Sequence, residues 1–152
     1  MDEAINSVSQ QDKFDADKSP TNGSSFAFIL EYGCRKFLFL GDSHMDIIEE
    51  YLDILEEPLK LELVKLSHHS SKKNNSMKFF NNICCEQFVF CSDGLNNNDH
   101  PSLTTVARLS INFPYSKLFF TSESDEIKDF SQSFSERCVY PKDNVLEFSY
   151  EL

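Results

Sequence analysis

The stretch FLFLGDSHMD (residues 37–46) indicates how this chain folds and where its polar side chains gather. Four apolar residues run directly into Gly-Asp-Ser-His, so the pattern predicts a buried strand that ends in a carboxylate and an imidazole. The following segment, MDIIEEYLDILEE (residues 45–57), has its apolar residues on one face of a helix. The stretch therefore predicts a strand, a turn and a helix in direct succession.

Segments typical of strands and helices continue to alternate on both sides of this unit. Residues 24–32 and 35–42 flank Gly33-Cys34, and this arrangement predicts a β-hairpin. The remaining predicted elements are strands at 61–67, 86–93, 116–122 and 144–150, and helices at 76–83, 102–112 and 124–134. We therefore expect an α/β fold in which a mixed sheet carries helices on one face.

The length and composition are those of a single globular domain. The chain has 152 residues, of which 40% are hydrophobic and 26% are charged. Residues 1–22 are polar and show no period, so they are expected to form a disordered arm or linker. The predicted domain then occupies residues 23–152.

The charge and the cysteines restrict the partners and the compartment. A net charge of −11 argues against non-specific nucleic-acid binding by this chain alone, and Lys72, Lys73 and Lys78 form the best candidate for a local basic patch. No apolar run approaches the ~20 residues of a membrane span, and no export signal is visible. The chain has five cysteines, and they form no C-x-x-C pair; they are at positions 34, 84, 85, 91 and 138. These observations predict reduced thiols, a cytoplasmic location and no membrane partner.

The histidines give the strongest functional signal. All four follow the ends of predicted strands, at positions 44, 68, 69 and 100. Asp42 and Asp93 add carboxylates to the same edge, which is where ligands collect in open α/β folds. Imidazole nitrogens and carboxylate oxygens are zinc ligands, and a zinc-bound water can attack a carbonyl or phosphoryl centre. The pattern therefore predicts a metal site.

Each of these motifs also has an ordinary structural interpretation when it is taken alone. Gly-Asp after a strand is typical of a turn in which Asp42 caps the next helix. His68 and His69 fit a solvated loop, and His100 fits an exposed turn before a helix. Their joint occurrence at one edge of the sheet is what favours the metal site over these alternatives.

Four short motifs in this order resemble those of a known family. The segments SPTNGSSFAFILEY, FLFLGDSH, LVKLSHHSS and FVFCSDGLNNNDHPS lie between residues 19 and 109. They resemble the second half of metallo-β-lactamase-fold hydrolases. The most similar branch is the one related to the hydrolase domain of competence-type DNA-uptake proteins. The resemblance implies half of an αββα sandwich and a metal-dependent hydrolase that acts on phosphodiester bonds, with nucleic acid as the expected substrate.

The resemblance also implies roles for individual residues. Asp42 would bridge or share two metal ions, and His68 or His69 would be a ligand, with the choice between the two left open. Asp42, His69 and His100 are the implied catalytic residues, and His100 would contact the substrate or a metal ion. Zinc is the expected metal, with manganese as the alternative. Asn22 and the serines at 24 and 25 would shape the opening of the hairpin.

Two features of the sequence depart from the family pattern. The motif H-x-[HD]-x-D-H, which supplies most of the metal ligands in the family, does not occur in this chain. Ser70 and Asp99 also replace two glycines, and a glycine reaches positive φ more freely than other residues do. We therefore expect the isolated chain to bind metal weakly or not at all.

Two functions of different class follow from this. In the first, the chain is the C-terminal, metal-site-completing part of a hydrolase whose N-terminal half lies on another chain or is missing from this one. In the second, the chain is a catalytically silent interaction module that keeps the half-fold.

Overall fold

A computed structural model describes residues 1–95 and 99–151 of the chain, which folds around a six-stranded mixed sheet. The strands are β1 (Phe28–Tyr32), β2 (Arg35–Phe39), β3 (Leu59–Lys60), β4 (Leu63–Lys65), β5 (Ile83–Cys84), β6 (Gln87–Phe90), β7 (Lys117–Phe120) and β8 (Cys138–Val139). The helices are α1 (Asp2–Gln11), α2 (Pro20–Gly23), α3 (Met45–Asp53), α4 (Met77–Asn81), α5 (Leu103–Asn112) and α6 (Asp125–Ser131).

The strand order of the main sheet is β1-β2-β4-β6-β7-β8, and β3 pairs with β5 in a small separate sheet. The β1–β2 pair is antiparallel and forms the predicted hairpin, whereas the other pairs in the main sheet are parallel. The predicted α/β class with a mixed sheet is therefore confirmed. Part of the predicted loop between β6 and α5, residues 96–98, lies outside the described residues.

Helices cover one face of the sheet. Buried side chains of α3, α4, α5 and α6 pack there in one cluster with side chains of β2, β4, β6 and β7. The helix α3 begins at Met45, where the apolar helical period of the sequence begins, and the Ser76 hydroxyl caps α4 by accepting a hydrogen bond from the Phe79 N–H at 2.9 Å.

The other face of the sheet is also apolar. We call it the second face, and its side chains are Phe28, Leu30, Phe37, Phe39, Leu63, Val89 and Phe119. Phe28 stacks on Phe39 across the hairpin, with ring centroids 5.0 Å apart. In the described part of the chain, the helices of the main cluster all lie on the opposite face, so a helical layer covers one side of the main sheet.

The predicted strand at residues 144–150 is wrong. In the described part of the chain this segment joins no sheet, and its β contact is one isolated bridge between Lys142 and Val145. This segment instead lies against the second face through Leu146, Phe148 and Tyr150. The ring centroids of Phe148 and Phe119 are 4.8 Å apart, and those of Tyr150 and Phe37 are 5.1 Å apart. The alternation of apolar residues that predicted a strand arises from an extended segment lying across the sheet.

The prediction of a disordered arm over residues 1–22 also needs correction. Residues 2–11 form α1, which packs on α5, and Val8 is buried there. The Arg108 side chain, 1% exposed, anchors the end of this helix through an ion pair of 2.7 Å with Asp12. Tertiary contacts therefore order a segment that its own sequence does not order.

The five cysteines are all free, and the adjacent Cys84 and Cys85 point to different environments, since Cys84 is exposed and Cys85 is buried. Burial raises the pKa of the Cys85 thiol to about 12. Within residues 1–95 and 99–151, no helix combines the length and the apolarity that crossing a bilayer requires.

Candidate functional site

Three of the four histidines lie together at the ends of the parallel strands. The ring centroid of His68 is 5.1 Å from that of His100 and 6.0 Å from that of His69. We call these side chains the imidazole cluster. The sequence predicts all four histidines at this edge, and the structure brings three of them together because β4 and β6 are parallel neighbours that deliver the loops after them to one edge.

The turn after β4 holds His68 and His69 in an unusual backbone conformation. Three successive residues, His68, His69 and Ser70, have positive φ values of 44°, 50° and 66°. Hydrogen bonds fix this left-handed turn: the His68 N–H donates to the Gly41 carbonyl at 2.9 Å, and the Ser102 N–H donates to the Ser70 carbonyl at 3.2 Å. The positive φ of Ser70 is the conformation that the glycine of the family motif would favour.

We expect Ser70→Gly to stabilise the protein by about 1 kcal/mol. A left-handed backbone costs a non-glycine residue ~1–2 kcal/mol, and glycine avoids this cost. Glycine also has a larger conformational entropy in the unfolded chain, which offsets part of the gain in stability. The Ser70 hydroxyl is also buried and has no hydrogen-bond partner among the described residues, so its removal breaks no hydrogen bond there. Urea unfolding at equilibrium measures the difference.

Ser71→Gly is the matched control. Ser71 has a φ of −60°, and its hydroxyl accepts a hydrogen bond from the Lys73 N–H at 3.2 Å, so glycine should destabilise the protein there. Equal effects of the two substitutions would show that backbone strain at position 70 is absent.

His69 and His100 have contrasting surroundings. The exposed His69 ring places Nδ1 2.5 Å from the Cys91 carbonyl, which only accepts, so His69 Nδ1 carries the proton in that contact. His100 is half-buried, and its Nδ1 has no partner in the part of the chain that the structure describes. Burial, followed by the charges that His68 and His69 can carry, lowers the pKa of His100. His100 therefore tends to stay neutral, which is the form that binds a metal ion.

Asp42 lies beside the cluster and is joined to it through the backbone. Its N–H donates to the Ser25 hydroxyl at 2.8 Å, and its carbonyl accepts a hydrogen bond from the Asn74 amide at 3.4 Å. Its neighbour Gly41 accepts the His68 N–H. Among the described residues, the hydrogen bonds of Asp42 are thus made by its main chain, and the metal-bridging role of its carboxylate stays a prediction.

A second carboxylate, Asp17, lies at the imidazole cluster and was not expected there. Its Oδ2 is 3.5 Å from His68 Nδ1, and its side chain is 11% exposed. Asn22, the Ser19 N–H and Asn74 donate hydrogen bonds to it at 2.6, 2.9 and 3.2 Å. Burial raises the pKa of this carboxyl group, but these donors and His68 outweigh burial and lower it from 3.8 to about 2. Asp17 is therefore ionised at neutral pH.

This shift predicts an acid-dependent contribution to stability. Because the folded-state pKa of Asp17 lies below its unfolded value, the contribution is complete above about pH 4 and disappears as the pH falls towards 2. We expect the stability gap between the parent and Asp17→Asn to narrow by about 1 kcal/mol between pH 7 and pH 3. Urea unfolding of both proteins at the two pH values measures this difference in unfolding free energy. A difference that does not change with pH would contradict the lowered pKa of Asp17.

His44, the fourth histidine, has a structural role. Its Nε2 lies 2.9 Å from the Ser19 carbonyl and donates to it. A Cβ at Gly23 would lie 2.8 Å from His44 Cε1, so the short α2 helix packs directly on this ring. His44 therefore holds residues 19–23 against the start of α3 and is not part of the imidazole cluster.

The donor chemistry of the cluster fits a divalent metal in part. Neutral imidazole nitrogens with carboxylates nearby are ligands that zinc accepts. Among residues 1–95 and 99–151, however, no three His, Cys, Asp or Glu side chains are arranged to hold a single ion. Asp17 contacts His68, although the sequence did not predict this contact. The main chain of Asp42 also lies next to His68.

Comparison of the chain with protein-family models, with curated proteins and with solved structures gives no match.

Proposed function

We propose that this chain is the C-terminal, metal-site-completing part of a metal-dependent hydrolase that acts on phosphodiester bonds, with nucleic acid as substrate. The single observation that carries the proposal is the imidazole cluster at the ends of β4 and β6, in which His68 lies within 6.0 Å of two other imidazole rings. Similarity of the chain to metallo-β-lactamase-fold hydrolases is part of this proposal.

The exposed part of the second face supports a partner that supplies the other half of the site. The C-terminal segment covers β4, β6 and β7, but Phe28 and Leu30 on the edge strand β1 are 42% and 49% exposed. A groove of about 500 Å³ lies on the helical side of the same edge strand, between β1 and α3. Exposed apolar surface beside an unpaired strand edge is typical of a docking site.

We propose that the occupant is a second apolar β-sheet, borne by an N-terminal half that carries H-x-[HD]-x-D-H. Packing of two sheets face to face buries side chains of the kind that β1 exposes. The net charge of −11 favours a basic partner, which would also hold the anionic substrate.

The residues of this chain have defined tasks in the proposed hydrolase. His68 and His100 would hold a zinc or manganese ion together with the Asp42 carboxylate, and the partner would supply the remaining ligands. When bound, the metal supplies a water of lowered pKa and stabilises negative charge on phosphate oxygens. His69, exposed at the rim, would face the substrate.

Co-expression tests the proposal directly. The chain is co-expressed with the product of a neighbouring gene that carries the missing motif, and the purified complex is assayed for bound metal and for hydrolysis of bis(p-nitrophenyl) phosphate. Phe28→Asp should prevent the complex from forming. Tyr115→Asp is the matched control and should leave complex formation unchanged, because Tyr115 is an aromatic residue that is 94% exposed but lies outside β1. A complex that survives Phe28→Asp would refute the proposed docking face.

We expect Asp42→Asn to abolish hydrolysis by the complex and to leave the fold intact. The structural hydrogen bonds of Asp42 are made by its main chain, so asparagine preserves them and removes only the charge. A substituted complex as active as the parent would refute the role of Asp42.

The catalytically silent interaction module is the second candidate, and the same exposed face on β1 favours it. Metal content distinguishes the two functions. A complex that forms through β1 and retains no zinc or manganese would support the interaction module and refute the hydrolase.

A further inference from the structure

The surroundings of Asn74 fix the orientation of its side-chain amide. The residue is fully buried, and its Nδ2 lies 3.2 Å from Asp17 Oδ2, 3.3 Å from the Ser43 carbonyl and 3.4 Å from the Asp42 carbonyl. The Ser43 and Asp42 carbonyls can only accept hydrogen bonds, and Asp17 Oδ2 already accepts one from Asn22 Nδ2 at 2.6 Å. A flipped amide would direct its carbonyl oxygen at three acceptors. Asn74 Oδ1 must therefore be the atom that faces His68, at 3.0 Å from Nδ1.

This orientation determines which nitrogen of His68 carries the proton. Asn74 Oδ1 and Asp17 Oδ2, at 3.0 and 3.5 Å from Nδ1, are both acceptors, so Nδ1 must be the donor. Asn22 Nδ2 lies 3.3 Å from the same nitrogen, but it has a better acceptor in Asp17 at 2.6 Å. In the neutral ring, Nε2 is then left with its lone pair.

We propose that Asp17 is a positioning residue that, through Asn74, holds His68 as the Nδ1–H tautomer and so makes His68 Nε2 a metal-binding nitrogen. The metal part rests on the proposed function, whereas the tautomer is a property of the chain alone. A histidine that donates its other N–H to a carboxylate or amide oxygen keeps a fixed ring orientation and is a stronger ligand. The proposal also selects His68, at the centre of the imidazole cluster, over His69.

The arm that carries Asp17 is tied to the same loop as the cluster. Arg108 binds Asp12 on one side, and on the other it donates to the carbonyls of Lys72 and Asn75 at 2.6 and 2.9 Å. The Asp17 N–H adds a bond of 3.1 Å to the Lys73 carbonyl. Asp17 is thus held beside His68 by its own N–H and by the Asp12 anchor five residues before it.

Long-range ¹H–¹⁵N correlation spectra of the metal-free protein test the proposal, at a pH where the imidazoles are neutral. The parent should show His68 with a protonated Nδ1 and an unprotonated Nε2. In Asp17→Asn the pure signature should give way to a mixture of both tautomers, and Asp17→Glu should restore part of it. Asp15→Asn is the matched control, because Asp15 lies on the same arm but is 80% exposed and pairs with Lys73.

Two outcomes would overturn the inference. A parent protein in which His68 Nε2 carries the proton would refute the tautomer, and this measurement needs no variant to fold. An unchanged tautomer in Asp17→Asn, with backbone spectra that show a native fold, would refute the role of Asp17. Because no metal is added, neither result depends on the proposed function, and a failure to bind zinc would leave both unaffected.

Discussion

Arg108→Met is expected to lower the free energy of unfolding by about 3–5 kcal/mol, which is the usual cost of breaking a buried ion pair by removing one partner. The guanidinium group is 1% exposed and holds the Asp12 carboxylate at 2.7 Å. It also satisfies the Lys72 and Asn75 carbonyls, which methionine would leave without a donor. Urea or thermal unfolding measures the loss.

The same substitution should release the N-terminal arm from the core. Limited proteolysis should therefore cut residues 1–22 of the variant under conditions where the parent resists. Lys128→Met is the matched control, because Lys128 pairs with Glu123 at 3.0 Å on the surface, where both side chains are 50% exposed, and no resolvable change is expected. If the two substitutions had equal effects, the Arg108 anchor would be no stronger than a surface pair.

Gly41→Ala is expected to cost about 2–4 kcal/mol. Gly41 has a φ of 55°, and a Cβ there would lie 2.5 Å from the Ser25 hydroxyl and 2.7 Å from the Phe26 carbonyl. The backbone oxygen of Phe26 cannot move away cheaply, since it belongs to the segment that leads into β1. Strain and overlap therefore add to one another at this position.

The control for Gly41 is Gly33, which lies in the exposed turn of the hairpin with a φ of 61°. Gly33→Ala should show only the backbone cost, about 1 kcal/mol. Gly41→Ala should also disturb the imidazole cluster, because the Gly41 carbonyl accepts the His68 N–H. If Gly41→Ala were as mild as Gly33→Ala, the close approach of residues 25–26 to position 41 would be wrong.

Local signals in the sequence were sufficient for the elements that determine their own structure. The hairpin follows from two β-rich segments around Gly33-Cys34, and α4 follows from its Ser76 cap. The clustering of His68, His69 and His100 also followed from the sequence, because parallel strands deliver the loops after them to a common edge.

Features that depend on distant contacts could not be predicted in the same way. α1 has a single buried residue, Val8, and is held by α5 and by Arg108, which lies 96 residues beyond Asp12. Asp17 reaches the cluster through Asn74, 57 residues away, so its local sequence carried no sign of this role.

The C-terminal segment shows the limit of periodicity as a signal. Leu146, Phe148 and Tyr150 alternate with exposed residues as in a strand, but they pack on a face of the sheet. The period of two reports an extended backbone with one buried side, and it does not report strand pairing. Only the position of the second face shows which of the two applies.

A zinc titration of the isolated chain, followed by imidazole ¹⁵N spectra, tests the central claim most directly. The protein should carry Cys34→Ser and Cys84→Ser, because exposed thiols would also bind zinc. At millimolar zinc, the Nε2 resonances of the imidazole cluster should shift together, with His68 shifting most, while His44 should stay constant because its Nε2 donates to the Ser19 carbonyl. Shifts of His44 as large as those of the cluster would contradict the claim that these imidazoles form part of a metal site.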